Sequence, residues 1–461
     1  MEATTKTRPE RGQELELTID DLAFGGAGVA RVELEAGRPP YVVFARDAIP
    51  GDRVRAVVTK RKRHYAEART VAVLEPSPER VDPVADHPGA PWQVLPYARQ
   101  LEVKHHQVDD ALRRLGKLDG FELRDIVPAV EQWRYRNKLE FSFGHDDSGA
   151  LVCGFHAPGS WEDIVGLEDC LLQSERGNEA RRAVLDWARG AGLRAYDRRA
   201  QEGLLRNLVV REGRRTGELQ VRLVTSETDA LSAEELGEAL VGLADSVLWT
   251  RIAGVAEVTA GGVTQTVAGA DRITEELSGL RFSIGAESFF QTNTEMAEVL
   301  YGIAADAAGL RGYERLYDLF CGIGTIGLSM AARAGEVWGV EVVEEAVADA
   351  IQNAKANGIR NAKFFAGDVR LAMRDLVEEA GRPEVLVVDP PRAGLSQKVV
   401  RRVIEAGPKR IVYVSCNPTT LAPNAAQLVA DGGYVLRHVT PVDMFPQTPH
   451  IECVALLERA L

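Results

Sequence analysis

The chain has 461 residues, 45% of them hydrophobic and 27% charged, and it carries a net charge of −13 at pH 7. This composition is typical of a folded globular protein, and the length predicts two or three domains rather than a single core. The acidic total argues against a protein that coats nucleic acid indiscriminately. No apolar run approaches the roughly 20 residues that a membrane-spanning helix needs, and the polar amino-terminal segment lacks the apolar centre of a secretory signal, so we expect a cytoplasmic location.

Residues 11–75 are predicted to form a small all-β domain. Short alternating stretches are separated by Gly and Pro residues, a spacing that is typical of a small barrel of the oligonucleotide-binding kind. A dense basic run, Lys60–Arg63, lies within this domain and is either a solvated strand edge or a nucleic-acid contact. The predicted strands cover 14–19, 41–44 and 53–58.

Residues 76–285 mix helical and strand patterns and are predicted to form a central α+β domain. Within it, the segment Trp133–Lys138 alternates cations with aromatic side chains. Single-stranded RNA binders use such side chains for phosphate contacts and for base stacking, so an RNA contact and a purely structural role both stay open for this segment. The predicted helices cover 97–116 and 174–192, and the predicted strands cover 204–210 and 219–224.

From residue 286 to residue 461, apolar strands alternate with helices across glycine-rich or acidic turns. This rhythm predicts an α/β fold with a doubly wound, mostly parallel sheet, in which ligands bind at the carboxyl ends of the strands. The predicted strands are Arg315–Phe320, Glu336–Glu341, Ala362–Phe365, Val385–Asp389, Arg410–Ser415, Tyr434–Val439 and Cys453–Glu458.

A glycine-rich loop, Cys321–Gly327, follows the first of these strands and precedes a helix. Glycines here let the backbone approach a bound ligand closely, and Glu341 at the end of the second strand can accept hydrogen bonds from ribose hydroxyls. The loop also satisfies the pattern G-x-G-x-x-G. A nicotinamide-dependent enzyme and a purely structural turn therefore both stay open on this feature alone.

Two further motifs lie at the same predicted edge of the sheet. Asp368 follows the third strand, and Asp389-Pro390-Pro391-Arg392 follows the fourth. A dehydrogenase gains nothing obvious from a rigid Asp-Pro-Pro turn at this place, whereas a methyltransferase can use it to fix the chain between the methyl donor and the base. The combination favours a methyltransferase.

A cysteine, Cys416, follows the fifth strand. A cysteine at a strand tip is usually buried packing, but this one lies opposite the glycine-rich loop. Methylation of uracil at C5 requires a thiolate that adds to C6 and makes C5 nucleophilic, and then a base that removes the C5 proton. Cys416 can supply the thiol, and Glu452, just before the last strand, is the candidate base.

Together these motifs resemble the RNA 5-methyluridine (uracil-C5) methyltransferases, specifically the branch with an amino-terminal TRAM domain that acts on 23S ribosomal RNA. The resemblance extends over nearly the whole chain, and its strength lies in the order of the motifs, because any one of them could occur by chance. Before residue 286 the matching segments are Gly25–Arg31, Ile49–Val54, Tyr135–Phe141 and Leu205–Arg211. Beyond it they are Ser288–Asn293, Asp318–Gly324, Asp389–Arg392, Ser415–Pro418 and His450–Glu452.

The resemblance implies a class I (Rossmann-like) methyltransferase domain at 286–461 that uses S-adenosyl-L-methionine, preceded by a TRAM domain and a central domain that bind RNA. It implies that Cys416 is the nucleophile, that Glu452 is the general base and that Asp389 lies near the target base. We expect a monomer whose partner is RNA, most directly ribosomal RNA, and no membrane partner. The cofactor contacts that the resemblance implies are Gln291, Phe320, Thr325, Glu341, Asp368 and Asp389.

The chain departs from the iron–sulfur relatives of this family. Those relatives carry three cysteines shortly before a segment similar to Trp92–Tyr97, whereas residues 82–91 here contain no cysteine, and only Cys170 matches the fourth ligand. A four-iron cluster normally needs four thiolates. The five cysteines also form no C-x-x-C pair that would indicate a zinc site, so we expect neither a cluster nor a bound metal.

Three alternatives stay open. The first is a 5-methyluridine methyltransferase that acts on tRNA. The second is an RNA 5-methylcytosine methyltransferase, although such enzymes carry a second cysteine where this chain has Arg392. The third is a non-catalytic RNA-binding or RNA-folding protein, against which the presence of Cys416, Glu452 and Asp389 argues. The sequence does not indicate which uridine is modified.

Overall fold

The computed structural model describes residues 8–34, 39–227 and 231–460. They group into two compact units, one formed by the chain up to Asp109 with Phe445–His450, the other by Asp110–Met444 and the segment from Ile451 onward. The first seven residues of the polar amino-terminal segment lie outside the described ranges. Within those ranges no helix combines the length and the apolar character that crossing a membrane requires. The domain boundaries expected at 75/76 and 285/286 stay predictions.

The first unit contains a six-stranded sheet in which every second residue faces a small apolar core. Val43, Val54 and Ala66 are fully buried, while the residues beside them are more exposed, which is the alternation expected of a sheet with one solvated face. The strand order is β1-β5-β6-β4-β3-β2; β4 and β6 are parallel and the other pairs antiparallel. The elements are β1 (Glu14–Thr18), β2 (Asp21–Leu22), β3 (Gly28–Val32), β4 (Tyr41–Arg46), β5 (Arg53–Arg61), β6 (Tyr65–Glu75) and the helix α1 (Tyr97–Asp110).

A buried carboxylate fixes the turn between β4 and β5. Asp52 accepts hydrogen bonds from the backbone N–H groups of Ile49 and Ser77, both at 2.9 Å, and is paired with Arg80 at 2.6 Å. Burial alone would raise the pKa of Asp52, but these hydrogen bonds and the guanidinium charge lower it below its usual value. The acid in the motif Ile49–Val54 therefore has a structural role.

The second unit holds a seven-stranded sheet whose two faces differ in character. Phe141 and Leu208 pair on the apolar face beneath α2, where the guanidinium of Arg181 lies 5.5 Å from the centre of the Phe141 ring. The opposite face carries polar side chains, including Asn207 and Arg211. The strand order is β10-β9-β8-β11-β12-β13-β14. The elements are β8 (Lys138–His145), β9 (Leu151–His156), β10 (Ile164–Gly166), α2 (Glu175–Gly190), β11 (Leu205–Glu212), β12 (Leu219–Ser226), α3 (Ala233–Ala239), β13 (Ser246–Ile252) and β14 (Val263–Gly269).

An eight-stranded sheet in the order β19-β18-β17-β20-β21-β23-β22-β7 forms the other part of this unit. The first five strands in this order are parallel, and β23 is antiparallel to both of its neighbours, which confirms the predicted α/β fold with a mostly parallel sheet. The edge strand β7 comes from far before residue 286. The strands are β7 (Glu122–Leu123), β17 (Arg315–Leu319), β18 (Glu336–Glu341), β19 (Ala362–Ala366), β20 (Val385–Val388), β21 (Arg410–Ser415), β22 (Tyr434–Val442) and β23 (Glu452–Arg459), with a separate hairpin of β15 (Ile273–Leu277) and β16 (Leu280–Ile284).

Side-chain caps fix where two of the helices begin. Asn293 starts α4 by accepting a hydrogen bond from the N–H of Met296, and Asn417 starts α9 in the same way, with Pro418 at the first helical position. The helices are α4 (Thr294–Ala308), α5 (Thr325–Met330), α6 (Glu344–Ala356), α7 (Val369–Ala380), α8 (Gln397–Ala406) and α9 (Pro418–Gly432), with a short 3₁₀ turn at Ala331–Arg333. The helix predicted at 97–116 ends as a π-helical turn at Ala111–Leu115.

The base-stacking role considered for the segment Trp133–Lys138 is wrong for its tyrosine. Tyr135 is fully buried and cannot stack on a nucleotide. Arg134 lies in the left-handed region with φ 54°, and its guanidinium is paired with Asp169 at 2.6 Å. Tyr135 and Arg134 therefore stabilise the fold of this region. At these two positions, packing and an ion pair explain the alternation of cations and aromatic rings.

Candidate active site

Four of the predicted cofactor residues lie at the carboxyl edge of the parallel strands. Phe320 directly follows β17, Glu341 is the last residue of β18, and Asp389 directly follows β20. The register aligns the ends of these strands. Asp368 lies two residues beyond β19, the neighbour of β18. The structure thus brings these side chains to the edge that the sequence predicted.

The glycine-rich loop turns sharply after β17. Phe320 adopts a left-handed φ of 64°, which is uncommon for a residue other than glycine, and Gly324 follows with φ 85°. A Cβ at Gly324 would lie 3.1 Å from the Leu328 side chain, so the turn is tightly packed there. At Gly322, in contrast, a Cβ would meet no atom within 4 Å. The surface at Gly322 is therefore open to a ligand.

Glu341 holds this loop together with the turn that follows β18. Its Oε2 accepts a hydrogen bond from the N–H of Gly322 at 3.2 Å, and its Oε1 accepts from Val342 and Val343 at 2.7 and 3.0 Å. A carboxylate has about four lone-pair sites, so Oε2 can accept a further hydrogen bond from a ribose hydroxyl beside Gly322. The loop and this acid fit the adenosine part of the cofactor that the sequence predicts.

The other two predicted cofactor residues are held by neighbouring elements. Asn137 is buried and donates from Nδ2 to the backbone oxygen of Gln291 at 2.8 Å, which anchors the segment that carries the glutamine. Within the described ranges the side-chain amide of Gln291 makes no hydrogen bond, which leaves it available to a ligand. The Thr325 hydroxyl lies 3.1 Å from the hydroxyl of Tyr301 on α4.

Asp368 differs from the other acids because it is exposed. Its Oδ1 accepts a hydrogen bond from the N–H of Arg370 at 2.8 Å, and the residue thereby caps the start of α7. This helix-capping hydrogen bond is by itself a sufficient reason for an aspartate at position 368, and no bound ligand is needed to explain it. The role of Asp368 in cofactor binding stays a prediction.

Cys416 and Glu452 approach each other across the antiparallel pair of β21 and β23. Ser415 is opposite Cys453 in the register, so the residue after Ser415 lies beside the residue before Cys453. Cys416 is half-buried, and only 4% of Glu452 is exposed. Because the last strand enters the sheet antiparallel, the candidate base lies at the same edge as the candidate nucleophile.

Asn417 ties the loop that carries the cysteine to the Asp-Pro-Pro-Arg turn. Its Nδ2 donates to the backbone oxygen of Arg392 at 3.0 Å, while its Oδ1 accepts from the N–H of Thr419 at 3.0 Å. One side chain thus caps α9 and fixes the distance between two loops of the site. Within the motif, Asn417 and Pro418 therefore fix the start of α9 and the spacing of the two loops.

Burial raises the pKa values of all three predicted catalytic groups. It raises the pKa of Asp389 to about 7, and burial together with the charge of Asp389 raises the pKa of Glu452 well above its usual value. Burial and the two nearby carboxylates raise the pKa of the Cys416 thiol to about 11, against which Arg392 acts. Near neutral pH the free protein therefore holds Cys416 as a thiol, with Asp389 between its two forms, while burial and the charge of Asp389 favour the protonated form of Glu452 more than in water.

Two buried side chains without an assigned role in the sequence analysis belong to the same electrostatic cluster. Asp318, inside β17, accepts from the N–H of Gly327 at 2.8 Å, and its Oδ1 has no partner within the described chain. Burial, and to a lesser degree the charges of Asp389 and Glu341, raise the pKa of Asp318 to about 7. Burial and the charge of Asp389 also raise the pKa of Tyr301. In the sequence, Asp318 could have been found because an acid inside an apolar strand is unusual. The residue pattern of α4 gives no comparable indication for Tyr301.

Cys170, the residue that matches a fourth cluster ligand, lies in the second unit. It is buried, its N–H donates to Oδ1 of Asn178 at 2.8 Å, and burial raises the pKa of its thiol to about 11. Among the residues that the structure describes, no group of three His, Cys, Asp or Glu side chains is arranged to hold a metal ion. The absence of an iron–sulfur cluster stays a prediction.

Two family models match the chain. The model described as tRNA (Uracil-5-)-methyltransferase matches residues 264–460. The TRAM domain model matches residues 8–71, which includes the six strands of the first sheet up to the middle of β6.

Similar proteins cover nearly the whole chain. An uncharacterized RNA methyltransferase of Bacteroides thetaiotaomicron is 40% identical over 465 residues, covering 95% of this chain and 100% of the relative. An uncharacterized RNA methyltransferase of Halalkalibacterium halodurans is 38% identical over 451 residues, covering 96% of each. Among solved structures, the Pyrococcus abyssi tRNA (uracil-54, C5)-methyltransferase in complex with S-adenosyl-L-homocysteine has a TM-score of 0.76 and 28% identity, covering 96% of this chain and 100% of that one.

Proposed function

The chain belongs to the S-adenosylmethionine-dependent RNA (uracil-5-)-methyltransferases with a TRAM domain, and from this premise we propose that it forms 5-methyluridine in 23S ribosomal RNA through a covalent adduct of Cys416. Membership confirms the enzyme class and the cofactor that the sequence predicts. One observation carries the proposal: Cys416, Glu452 and Asp389 lie at the same edge of the sheet. Burial raises the pKa of all three groups, and neighbouring carboxylates raise those of Cys416 and Glu452 further.

The three groups supply what methylation at C5 demands. Cys416 forms a bond from sulfur to C6 of the uridine, and its proton passes to Asp389, which is partly ionised near neutral pH. Bound S-adenosylmethionine supplies the methyl group that the activated C5 takes. Glu452 then accepts the C5 proton, the bond from sulfur to C6 breaks, and its electron pair returns to the sulfur. A carboxyl group with a raised pKa is a stronger base once ionised, which suits Glu452 to this step.

The cofactor contacts are proposed on the same edge. The open surface at Gly322 and the carboxylate of Glu341 suit the ribose, and the unbonded amide of Gln291 suits a polar group of the cofactor. The full set of proposed contacts is Gln291, Phe320, Thr325, Glu341, Asp368 and Asp389.

Two related functions differ in the RNA that is methylated, which is either ribosomal RNA or tRNA. The TRAM domain supports ribosomal RNA by analogy, whereas the similar Pyrococcus abyssi protein acts on tRNA, as its name states. A monomer in the cytoplasm is the proposed setting. The test is transfer of labelled methyl groups from S-adenosylmethionine to 23S ribosomal RNA and to bulk tRNA from cells that lack the gene. We expect label in 5-methyluridine of 23S RNA, and label in tRNA alone would reject the ribosomal substrate.

The basic run at the end of β5 is proposed as an RNA contact. Arg61, Lys62 and Arg63 are exposed and have no ion pair within the described chain, whereas Lys60 is paired with Glu67 at 3.1 Å. Replacing the three unpaired cations by glutamine should weaken RNA binding and reduce the slope of log affinity against log salt by about 2 to 3, because each phosphate contact contributes about 0.7–0.9.

Filter binding at several salt concentrations measures this slope. Lys60→Gln is the matched control, since its charge is already balanced by Glu67, and it should change the slope little. If the triple variant keeps the slope of the unmodified protein, this segment is not part of the RNA interface.

The rate of methyl transfer should rise with pH between about 6 and 8. Asp389 has a pKa raised to about 7, and both the thiol and the general base must lose a proton to act, so deprotonation favours the reaction at each group. Single-turnover rates at saturating RNA and cofactor measure this profile. Asp389→Asn should lower the rate and remove the inflection near pH 7.

An alkylation assay separates this electrostatic role from a loss of folding. Since the charge of Asp389 raises the pKa of Cys416, Asp389→Asn should make the thiol react faster with iodoacetamide at pH 8. The control is Asp375→Asn, at an exposed position on α7. Equal alkylation rates in Asp389→Asn and in the unmodified protein would contradict the assignment.

A further inference from the structure

A cavity of about 330 Å³ lies on the seven-stranded sheet of the second unit and shares no lining residue with the candidate active site. Its volume is at the lower end of the range of roughly 300–1,000 Å³ that small-molecule sites occupy. Strands β8, β9 and β11 form one side, and the segment 194–202 forms another. None of the roles proposed above uses it.

Two aromatic rings in its walls have guanidinium groups within cation–π distance. The guanidinium of Arg206 lies 4.2 Å from the centre of the Tyr196 ring. Those of Arg198 and Arg199 lie 5.8 and 5.6 Å from the centre of the Trp161 ring. Trp161 is 54% exposed, which is unusual for so large an apolar side chain. Aromatic and guanidinium planes are the surfaces on which unstacked RNA bases pack.

The charges of the lining are balanced. Arg198 is paired with Glu257 and Arg199 with Glu162, so both guanidinium groups over Trp161 are neutralised. Four arginines and four acids line the cavity in total: Arg194, Arg198, Arg199 and Arg206 against Glu162, Asp197, Glu202 and Glu257. A lining without surplus positive charge favours a neutral, planar group over a phosphate.

The walls also carry hydrogen-bonding atoms that the described chain does not use. Nδ1 of His156, Nε of Arg206 and Oδ1 of Asn207 have no partner within it. Buried polar atoms are normally paired, but these three are themselves shielded from solvent, so they can meet water or the edge of a ligand only after a side-chain rotation. Glu257 holds the cavity in shape, since it accepts from Ser142 Oγ and pairs with His156 Nε2, both at 2.8 Å.

We propose that this cavity binds one unstacked base of the RNA substrate, by stacking on Trp161 and hydrogen bonding to the wall. The proposal rests on the proposed function, because it takes RNA as the substrate. The base held here is a different nucleotide from the target uridine, since the cavity contains none of the catalytic groups. The cavity would thus read the RNA outside the site of methylation.

The test compares Trp161→Ala with Trp161→Phe in the full-length protein. The RNA is ribosomal RNA from cells that lack the gene. Loss of one stacked base should raise the KM for RNA and the dissociation constant about 5- to 100-fold in the alanine variant, with kcat at saturating RNA unchanged. The phenylalanine variant should stay close to the unmodified protein. Tyr313→Ala, at another aromatic residue that is 67% exposed, is the matched control and should change neither quantity.

The salt dependence of RNA binding and a titration with uridine monophosphate distinguish a stacked base from a phosphate or a small ligand in the cavity. Stacking releases no counterions, so Trp161→Ala should keep the slope of log affinity against log salt; a reduced slope would mean a phosphate contact and overturn the proposal. Unchanged RNA affinity in Trp161→Ala also overturns it. Quenching of Trp161 fluorescence by uridine monophosphate without any change in RNA affinity would assign the cavity to a small ligand instead. If the unmodified protein methylates no RNA, the proposed function fails and not only this inference.

Discussion

Replacement of Cys416 by alanine is expected to abolish methyl transfer and to leave no protein–RNA adduct that survives denaturation. C5 of uracil is too weak a nucleophile unless a thiolate has added to C6, so loss of the sulfur removes the reaction path and not only a contact. The loss should exceed about 10³-fold, on the scale seen when a covalent nucleophile is removed. Measurement of labelled methyl transfer, with denaturing gels for the adduct, tests both parts.

RNA that contains 5-fluorouridine sharpens this test. The fluorine cannot leave as a proton, so the unmodified protein should be trapped on the RNA, while Cys416→Ala should not. Cys153→Ala, at a buried cysteine of the central sheet, is the control and should still be trapped. If Cys416→Ala forms the adduct, the nucleophile is misassigned and Cys321 or Cys453 has to be tested next.

Replacement of Glu452 by glutamine is expected to allow attack and methylation but to stop the release of the RNA. The amide cannot accept the C5 proton, and the bond from C6 to sulfur cannot break before that proton leaves. Removal of a general base costs about 10²–10⁴ in rate, which is enough for the methylated adduct to accumulate on natural RNA. A denaturing gel with labelled cofactor should show one methyl group bound with the protein.

A second glutamate of the same strand provides the matched control. Glu458 on β23 is paired with Arg410 at 3.2 Å and with Arg437 at 2.9 Å, away from the candidate base. Glu458→Gln should turn over RNA without accumulating an adduct. Full turnover by Glu452→Gln would show that another group removes the proton.

Local features of the sequence predict those parts of the fold and of the site that depend on one strand and its turn. Phe320, Glu341 and Asp389 could be located because each ends an apolar strand, and parallel strands bring their carboxyl ends to one edge. The start of α9 is local in the same sense, since Asn417 caps the helix and Pro418 occupies its first position, although no helix start was predicted from this pattern.

Features that depend on distant contacts could not be predicted in this way. The approach of Cys416 to Glu452 requires that β23 enter between β21 and β22, which no local pattern specifies. The buried tether from Asn137 to the backbone of Gln291 joins residues 154 positions apart. Tyr135 has the composition of a stacking residue, but its burial is decided by the elements that pack around it.

Mass-spectrometric mapping of 5-methyluridine in ribosomal RNA and tRNA tests the central claim most directly. Cells with the gene, cells without it, and deleted cells that carry either the unmodified gene or Cys416→Ala are compared. A 5-methyluridine in 23S RNA should disappear on deletion, return with the unmodified gene and stay absent with Cys416→Ala. Loss of the nucleoside from tRNA only, or its return with Cys416→Ala, would contradict the account.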